Sequence, residues 1–236
     1  MGKNFQYKSL LPIYVVIIIF VFSLTLGGSR VVTVLSENAP VKVKTTVIVD
    51  AGHGGVDGGA TSCTGILESQ FNLEIAQKLN DLLNLLGVQT IMIRNTDCSV
   101  YTDGETIAQK KISDLKERVR IANSTDNSIL VSIHQNLFSD KKYSGAQVFY
   151  APTDGSEILA KVVQSEFIRT INPTSHRKIK KANAIYLMQH INCPGVLVEC
   201  GFLSNPQEEY LLRTKDYQQK VSSVIACSIS NFLYST

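Results

Sequence analysis

Two patterns of apolar and polar positions alternate along the chain after residue 45. Short runs rich in Val and Ile predict buried strands, and apolar residues that recur every three or four positions predict amphipathic helices. The predicted strands are, in order, 47–49, 88–93, 129–133, 147–150, 185–188 and 196–198. The predicted helices are 68–86, 112–123, 156–171 and 216–232, with a polar loop at 94–111. Such alternation is typical of an α/β fold, so we expect one domain with a central mixed, mostly parallel sheet flanked by helices.

The first 28 residues follow a different pattern. Residues 10–26 carry no charge, and Lys3 and Lys8 precede them. This length is near the lower limit of about 17 residues for a spanning helix. The run predicts a signal anchor or a cleaved signal peptide, and we favour the anchor because no clean small-residue cleavage site follows it. The lysines place the N terminus in the cytoplasm, so the rest is expected to be extracytoplasmic, either membrane-anchored or secreted.

Chain length sets the domain organisation. The 236 residues are enough for one α/β domain with a short appendage and too few for two ordinary domains. We therefore expect an N-terminal membrane segment at 1–28, a polar connector at 29–44 and one catalytic domain at 45–236.

Charge and cysteine content limit the partners and sites that the sequence predicts. The net charge of +3 argues neither for nor against a polyanionic partner. The dense basic run at 176–181 is interpreted as a solvated loop in preference to a substrate-facing patch, and it lacks the interleaved aromatics of a nucleic-acid site. The five cysteines include no Cys-x-x-Cys pair, so neither a zinc ribbon nor a complete disulfide framework is expected.

A glycine-dense loop with one histidine, His53, follows the first predicted strand at 52–60. Glycines allow the backbone to approach a ligand closely, and sites in open α/β sheets lie beyond the carboxyl ends of strands. A phosphate-binding loop would continue with Gly-Lys-Ser/Thr or with an acidic residue that reads a ribose. This loop continues Thr61-Ser62-Cys63, so a metal-binding or catalytic histidine is the better interpretation.

Three further polar residues stand at the ends of apolar elements. Glu68 begins a predicted helix, His134 follows a strand, and Glu199 follows another strand. Two histidines and one carboxylate are a common zinc ligand set in hydrolases, which leaves a coordination position open for water. A further carboxylate near such a site can transfer protons, which is the role we assign to Glu199.

Structural alternatives remain open for this set. A glutamate in the first turn of a helix is favoured by the helix dipole alone, and a strand-end histidine such as His134 also suits a capping role. The spacing of the three residues is too long for a local metal signature. The other two histidines, His176 and His190, lie in polar surroundings and are interpreted as structural.

Together these segments resemble the zinc-dependent N-acetylmuramoyl-L-alanine amidases of the amidase-3 type. The resemblance extends over about 47–232 and is carried by residues 47–60, Glu68, 132–136 and 198–205. It implies that His53, Glu68 and His134 bind one Zn²⁺ per chain and that Glu199 is catalytic. It also implies hydrolysis of the amide bond between N-acetylmuramic acid and L-alanine in peptidoglycan.

The segment 143–150, the lone N-terminal anchor and the lack of an added wall-binding module are most similar to the spore-cortex, germination-specific branch. Members of that branch remove stem peptides before muramic-lactam formation. The family pattern after the second histidine is Ala-Asn-Ala, whereas this chain has Gln135-Asn136-Leu137, so the substrate-side wall of the cleft is expected to differ.

Asn136, Arg94 and Arg118 are candidates to position the acidic glycan or peptide, although the arginines are equally compatible with anchoring ion pairs. Two rival functions are an inactive peptidoglycan-binding scaffold and another zinc cell-wall hydrolase, such as a peptidase or deacetylase. Enzymes of this kind often need an accessory or activating protein. Membrane and peptidoglycan are the other expected partners, and nucleic acid is not.

Overall fold

The computed structural model describes residues 45–235, which form an α/β domain. Its strands are β1 (Thr46–Ala51), β2 (Thr90–Met92), β3 (Ser128–Asn136), β4 (Gln147–Tyr150), β5 (Lys180–Lys181) and β6 (Gly195–Phe202). Its helices are α1 (Glu68–Leu85), α2 (Ile107–Asn123), α3 (Ser156–Thr170), α4 (Tyr186–His190), α5 (Pro206–Leu212) and α6 (Lys215–Ser235). The predicted membrane segment and connector lie outside the described residues. Within residues 45–235, no helix is long and apolar enough to span a membrane.

The six strands form one mixed sheet in the order β2-β1-β3-β6-β4-β5. Strands β1, β2, β3 and β6 are parallel, β4 is antiparallel to β6, and β5 is parallel to β4. The carboxyl ends of the four parallel strands therefore lie at the same edge as the amino ends of β4 and β5. We call this the carboxyl edge. The predicted mixed, mostly parallel sheet is confirmed.

Both faces of the sheet are buried, which explains the continuous apolar runs of the central strands. Val47 and Val49 of β1 belong to a core cluster with residues of α1, α3 and α6. Ile48 points to the other face and joins a smaller cluster with residues of α4 and α2. Alternate strand residues thus serve opposite cores.

Helix α2 begins five residues earlier than predicted. Thr106 accepts a hydrogen bond from the Gln109 backbone N–H at 3.2 Å, and its own N–H donates to the Gln109 side chain at 2.9 Å. This capping box starts the helix at Ile107, which is 62% exposed. The first turn faces solvent and therefore has the polar composition of a loop.

The predicted strand at 185–188 is wrong, because this segment forms helix α4. Four consecutive apolar residues fit either a buried strand or a short buried helix, and periodicity does not separate them. Leu187 and Met188 pack into the smaller core cluster. Helix α5 was not predicted, although Asn205 caps it and Pro206 occupies its first position, a common helix-start signal.

Candidate metal centre

The histidine loop, residues 52–60, begins directly after β1. Its backbone comes very close to two side chains, those of His134 and Glu68. His53 has a positive φ of 60°, and a Cβ on Gly52 would lie 2.1 Å from Nε2 of His134. A Cβ on Gly59 would lie 2.7 Å from a carboxylate oxygen of Glu68, and φ there is 70°. Only glycine allows the loop to fold back onto both side chains.

His53, Glu68 and His134 converge at the carboxyl edge. Each offers one ligand atom, and these atoms lie within 4.8 Å of one another. His53 Nε2 is 3.2 Å from Glu68 Oε2, and His134 Nδ1 is 2.9 Å from Glu68 Oε1. The carboxylate thus lies between two imidazoles. The arrangement could hold a metal ion, and two nitrogen donors with one oxygen donor suit zinc.

Asp57 orients the first histidine, and sequence reasoning missed it. Its Oδ2 lies 2.9 Å from His53 Nδ1, and Lys111 Nζ lies 2.8 Å from its Oδ1. A carboxylate on Nδ1 fixes the ring so that Nε2 faces Glu68, as is usual around metal-binding histidines. The available signal was the acidic residue four positions after His53.

The Glu68 carboxylate is almost fully buried and has several donors. Oε1 accepts from the Asn72 side chain and the Gln135 N–H, both at 3.2 Å, and Oε2 accepts from the Ala60 N–H at 3.0 Å. Burial opposes ionisation, but hydrogen bonds and charge from the two histidines hold the pKa of Glu68 well below its usual range. Burial alone would lower the pKa of His53, yet Glu68 and Asp57 raise it to about 9. This environment favours a cation.

Arg94 and Arg118 hold the backbone of the histidine loop from below. Their exposed fractions are 3% and 2%. Arg94 donates to the carbonyls of Ala51 at 2.8 Å and Gly52 at 3.0 Å. Arg118 donates to the carbonyls of Ala51 at 3.0 Å and His53 at 2.8 Å. Both guanidinium groups therefore anchor the loop, and a contact with substrate stays a prediction.

Arg118 also joins the loop to a buried carboxylate pair. It bonds to Asp50 and, at 2.6 Å, to Asp114 on its own helix. Ser132 donates to the other Asp50 oxygen at 2.6 Å. Burial raises the pKa of Asp50, but the Arg118 charge and the Ser132 hydrogen bond outweigh it, so the pKa is below its ordinary value.

Where the family has Ala-Asn-Ala after the second histidine, this chain has Gln135-Asn136-Leu137, and Gln135 lies beneath the site. Gln135 is 3% exposed, and its Nε2 donates to the Asn72 side chain at 3.3 Å. Strand alternation turns Gln135 away from His134, so a difference in the substrate-side wall stays a prediction that now rests on Leu137. Asn136 is half-buried at the end of β3, and Leu137 is 49% exposed.

Glu199 lies beside the cluster on the neighbouring strand. It is directly opposite His134 in the parallel register of β3 and β6. Its Oε2 is buried and has no hydrogen-bond partner among residues 45–235. Burial raises the pKa of Glu199 to about 7. A buried carboxylate without a partner is costly for folding and marks a functional candidate.

A cavity of about 180 Å³ opens beside the cluster. Its polar wall includes His53, His134, Lys111 and Arg118. Its apolar wall comes from α4 and β6 through Ile185, Tyr186, Leu187 and Leu197. The cysteines are all free, and His176 and His190 lie outside the cluster.

Comparison with known proteins adds direct evidence on function. Residues 47–231 match the family model Amidase_3, N-acetylmuramoyl-L-alanine amidase. The germination-specific N-acetylmuramoyl-L-alanine amidase of Bacillus subtilis (strain 168) is 40% identical over 181 residues, which cover 76% of this chain and 76% of that protein.

Two solved structures share the fold. One is the CwlD amidase from Clostridioides difficile in complex with the GerS lipoprotein, with a TM-score of 0.78, 39% identity and coverage of 82% of this chain and 100% of that chain. The other is an N-acetylmuramoyl-L-alanine amidase from Clostridium difficile 630, with a TM-score of 0.72, 31% identity and coverage of 82% and 99%. The chain therefore belongs to the Amidase_3 family and is an N-acetylmuramoyl-L-alanine amidase, an enzyme that acts on peptidoglycan.

Proposed function

We propose that this amidase is zinc-dependent, that His53, Glu68 and His134 hold one Zn²⁺ per chain, and that Glu199 is the catalytic proton carrier. The observation that carries the proposal is the convergence of two imidazoles and one carboxylate within 4.8 Å, beside a carboxylate on the next strand. The Asp57 carboxylate on His53 Nδ1 supports it, because it leaves Nε2 for a metal. A zinc ion bound there would polarise the scissile carbonyl and lower the pKa of a water molecule.

The remaining chemistry belongs to the side chains. Hydrolysis breaks the bond between the lactyl carbonyl carbon of N-acetylmuramic acid and the nitrogen of L-alanine. Glu199 accepts a proton from the attacking water and returns it to the leaving amine, so the products are a lactyl carboxylate and a free amino terminus. The free Oε2 of Glu199 supports this role, since no described residue competes for it.

Substrate binding is proposed to involve Asn136, Arg94 and Arg118 in different ways. Asn136 follows His134 on the same face of β3, so it is placed to contact the muramoyl peptide. Arg94 and Arg118 contribute by holding the carbonyls of the histidine loop. Their effect on substrate is then indirect, through the position of His53.

The proposal extends to the biological setting, which is removal of stem peptides for muramic-lactam formation in the spore cortex. The 40% identity to a germination-specific amidase supports it. The apolar run at 10–26 supports an uncleaved anchor at 1–28, a connector at 29–44 and a catalytic domain at 45–236 outside the cytoplasm. The GerS complex of a related amidase supports an accessory protein as a partner.

The test combines metal analysis with product analysis on the purified full-length chain. We expect one zinc per chain and release of peptides with an L-alanine amino terminus, while the glycan keeps its length and its acetyl groups. Glu199→Gln is the matched control, and we expect it to retain zinc without releasing peptide. Release of acetate or of internal peptide fragments would identify a deacetylase or peptidase instead. Full zinc without any product would favour a binding scaffold.

A further inference from the structure

A row of aromatic and cationic side chains lies at the carboxyl edge around the end of β6. Its members, in spatial order, are Phe138, Tyr143, Phe202 and Arg177. The first two rings meet edge to face at 4.9 Å, and Tyr143 stacks on Phe202 with centroids 6.4 Å apart. The Arg177 guanidinium lies over the Phe202 ring at 4.7 Å. We call these four residues the aromatic–cationic row.

Buried hydrogen bonds hold the row in place. Glu208 is 7% exposed and accepts from the backbone N–H of Gly145 at 2.7 Å and of Phe202 at 2.8 Å. The Asn205 side chain donates to the Tyr143 carbonyl at 3.2 Å. These hydrogen bonds therefore fix the loop that carries Tyr143 to the end of β6, so the row has a defined position.

The row reaches the candidate catalytic group through one intervening side chain. Arg177 Nη1 donates to the Gln147 side chain at 3.4 Å. Gln147 is directly opposite Glu199 in the antiparallel register of β4 and β6. Directly opposed residues point to the same face with Cβ atoms about 5 Å apart. A polymer cleaved beside Glu199 therefore runs close to Arg177 if it extends toward β4.

A groove beside the row has strong positive character. It has a volume of about 410 Å³, and its walls include Lys142, Tyr143, His176 and Arg177. The two segments around it, 137–146 and 172–181, hold six lysines and arginines and one acidic residue, although the whole chain has a net charge of only +3. Most residues of 176–181 are exposed, as expected for a solvated loop, and Arg177 and His176 of this run also line the groove.

Within residues 45–235, the groove cations Lys142 and Arg177 have no buried ion-pair partner that would compete with a ligand. Among the described residues, no carboxylate lies within ion-pair distance of Arg177. Lys142 pairs with Asp140 at 2.9 Å, but its side chain is 74% exposed and such pairs are weak. Phe138 and Tyr143 are 51% and 42% exposed, so their rings are open to a ligand.

We propose that the row and groove bind the peptidoglycan strand next to the muramoyl residue that is cleaved. The apolar face of a neighbouring sugar packs on Phe138 and Tyr143, and carboxylates of an adjacent stem peptide pair with Lys142 and Arg177. Amphipathic rings suit aromatic faces, and charge-assisted hydrogen bonds suit carboxylates. The inference rests on the proposed function, because it assigns the substrate beyond the scissile bond.

The test measures binding without cleavage. Full-length chain carrying Glu199→Gln is sedimented with two insoluble glycans, one bearing its stem peptides and one stripped of them. We expect Lys142→Gln and Arg177→Gln together to weaken binding to the peptide-bearing glycan at least about 10-fold, the size of one charge-assisted bond. Binding to the stripped glycan should change less. Phe138→Ser should weaken binding to both.

The matched control is Lys161→Gln on α3. This lysine is 62% exposed and pairs with Glu157 at 2.6 Å, as Lys142 does with Asp140, but it lies outside the groove. We expect no change in binding to either glycan. Melting temperatures are compared for every variant, and Lys142→Gln alone carries the charge test if Arg177→Gln does not fold.

Each outcome separates the inference from the proposed function. Variants that bind peptide-bearing glycan like the control would overturn the inference, even if the wild type releases peptides. A wild type that releases no peptide, with binding still weakened by the groove variants, would overturn the proposed function alone. Unchanged glycan binding with lost binding of an acidic protein would identify the row as a protein-docking surface and overturn the inference.

Discussion

Two glutamates, the buried Glu68 and the half-buried Glu199, stand at the same sheet edge in opposite environments. Each oxygen of Glu68 has partners, which include both histidines and the backbone N–H groups of Ala60 and Gln135. The Oε2 of Glu199 is also buried but has no partner among the residues that the structure describes. The pKa of Glu68 is held well below its usual range, whereas burial raises that of Glu199 to about 7.

The contrast shows how the environment suits one residue type, glutamate, either to hold a metal or to transfer a proton. A carboxylate surrounded by donors and cations stays ionised and fixed, which suits a ligand that holds a metal. A carboxylate with a buried oxygen that no described residue satisfies has a raised pKa, which suits acid–base chemistry. Two carboxyl groups whose environments push their pKa values apart are a recurrent sign of divided roles.

The largest expected effect separates these roles directly. Glu199→Gln should lower kcat by about 10³-fold or more, within the range for general acid–base groups, with metal content unchanged. His134→Ala should lose both metal and activity because a ligand is removed. Elemental analysis and kcat are measured on the same samples. A Glu199→Gln enzyme within tenfold of wild type would remove the distinction.

The second effect concerns the buried ion pairs that support the loop carrying His53, one of the proposed metal ligands. Arg118→Gln leaves Asp50 buried without its cation, and breaking a buried pair costs about 3–5 kcal/mol of unfolding free energy. Denaturant unfolding measures it. Arg169→Gln, which removes an exposed pair with Glu166, is the control and should leave stability unchanged. Equal effects for the two variants would show that Arg118 does not support the loop.

The third effect sharpens the account of the ligands. Asp57→Asn weakens the acceptor at His53 Nδ1, so metal affinity should fall by about 10- to 100-fold. Competition with a chromophoric chelator measures it. Asp103→Asn is the comparison variant, because this exposed carboxylate accepts from the backbone N–H of Gly104 and lies outside the histidine loop. If Asp57→Asn keeps wild-type affinity, Asp57 does not orient the ring.

The smallest expected effect is a loss of unfolding free energy at acidic pH. Because the pKa of Asp50 is below its ordinary value of 3.8 in the folded chain, the ionised form stabilises the fold. This stabilisation is complete above pH 3.8 and is lost as the pH falls further through the folded pKa. The stability gap between wild type and Asp50→Asn should therefore be constant near neutral pH and shrink below about pH 4. Unfolding at several pH values measures it, and a gap that persists at pH 2 would contradict the assignment.

Most elements of the fold followed from the local pattern, and the errors occurred where pattern is ambiguous. Strand β4 has its predicted bounds, since an apolar run between turn residues has one interpretation. Helix α4 was mistaken for a strand because four apolar residues in a row carry no period. Only packing against the second face of the sheet decides between the two conformations.

The candidate site, like the fold, could be predicted only in part from the sequence. The sequence alone proposed His53, Glu68, His134 and Glu199 as candidates, because a polar residue at the end of an apolar element is conspicuous, and the structure brings the first three together. The sequence did not identify Asp57, although its partner His53 is only four residues away. It also missed Glu208 and the aromatic–cationic row, which depend on contacts between distant segments, such as Glu208 with Gly145 and Arg177 with Phe202. It linked Arg94 and Arg118 either to the substrate or to anchoring ion pairs, whereas each also donates to loop carbonyls over 40 residues away.

By itself, the sequence determined the α/β class, the family and the residues suited to bind a metal, because these depend on local periodicity and on which side chains follow strands. The tertiary structure alone decided which carboxylate is surrounded by donors and which is not. It also decided that the basic segment lies beside the catalytic candidate, because antiparallel β4 brings its amino end to the carboxyl edge. Burial and neighbours set the chemistry of a carboxyl group, and both arise only when distant segments meet.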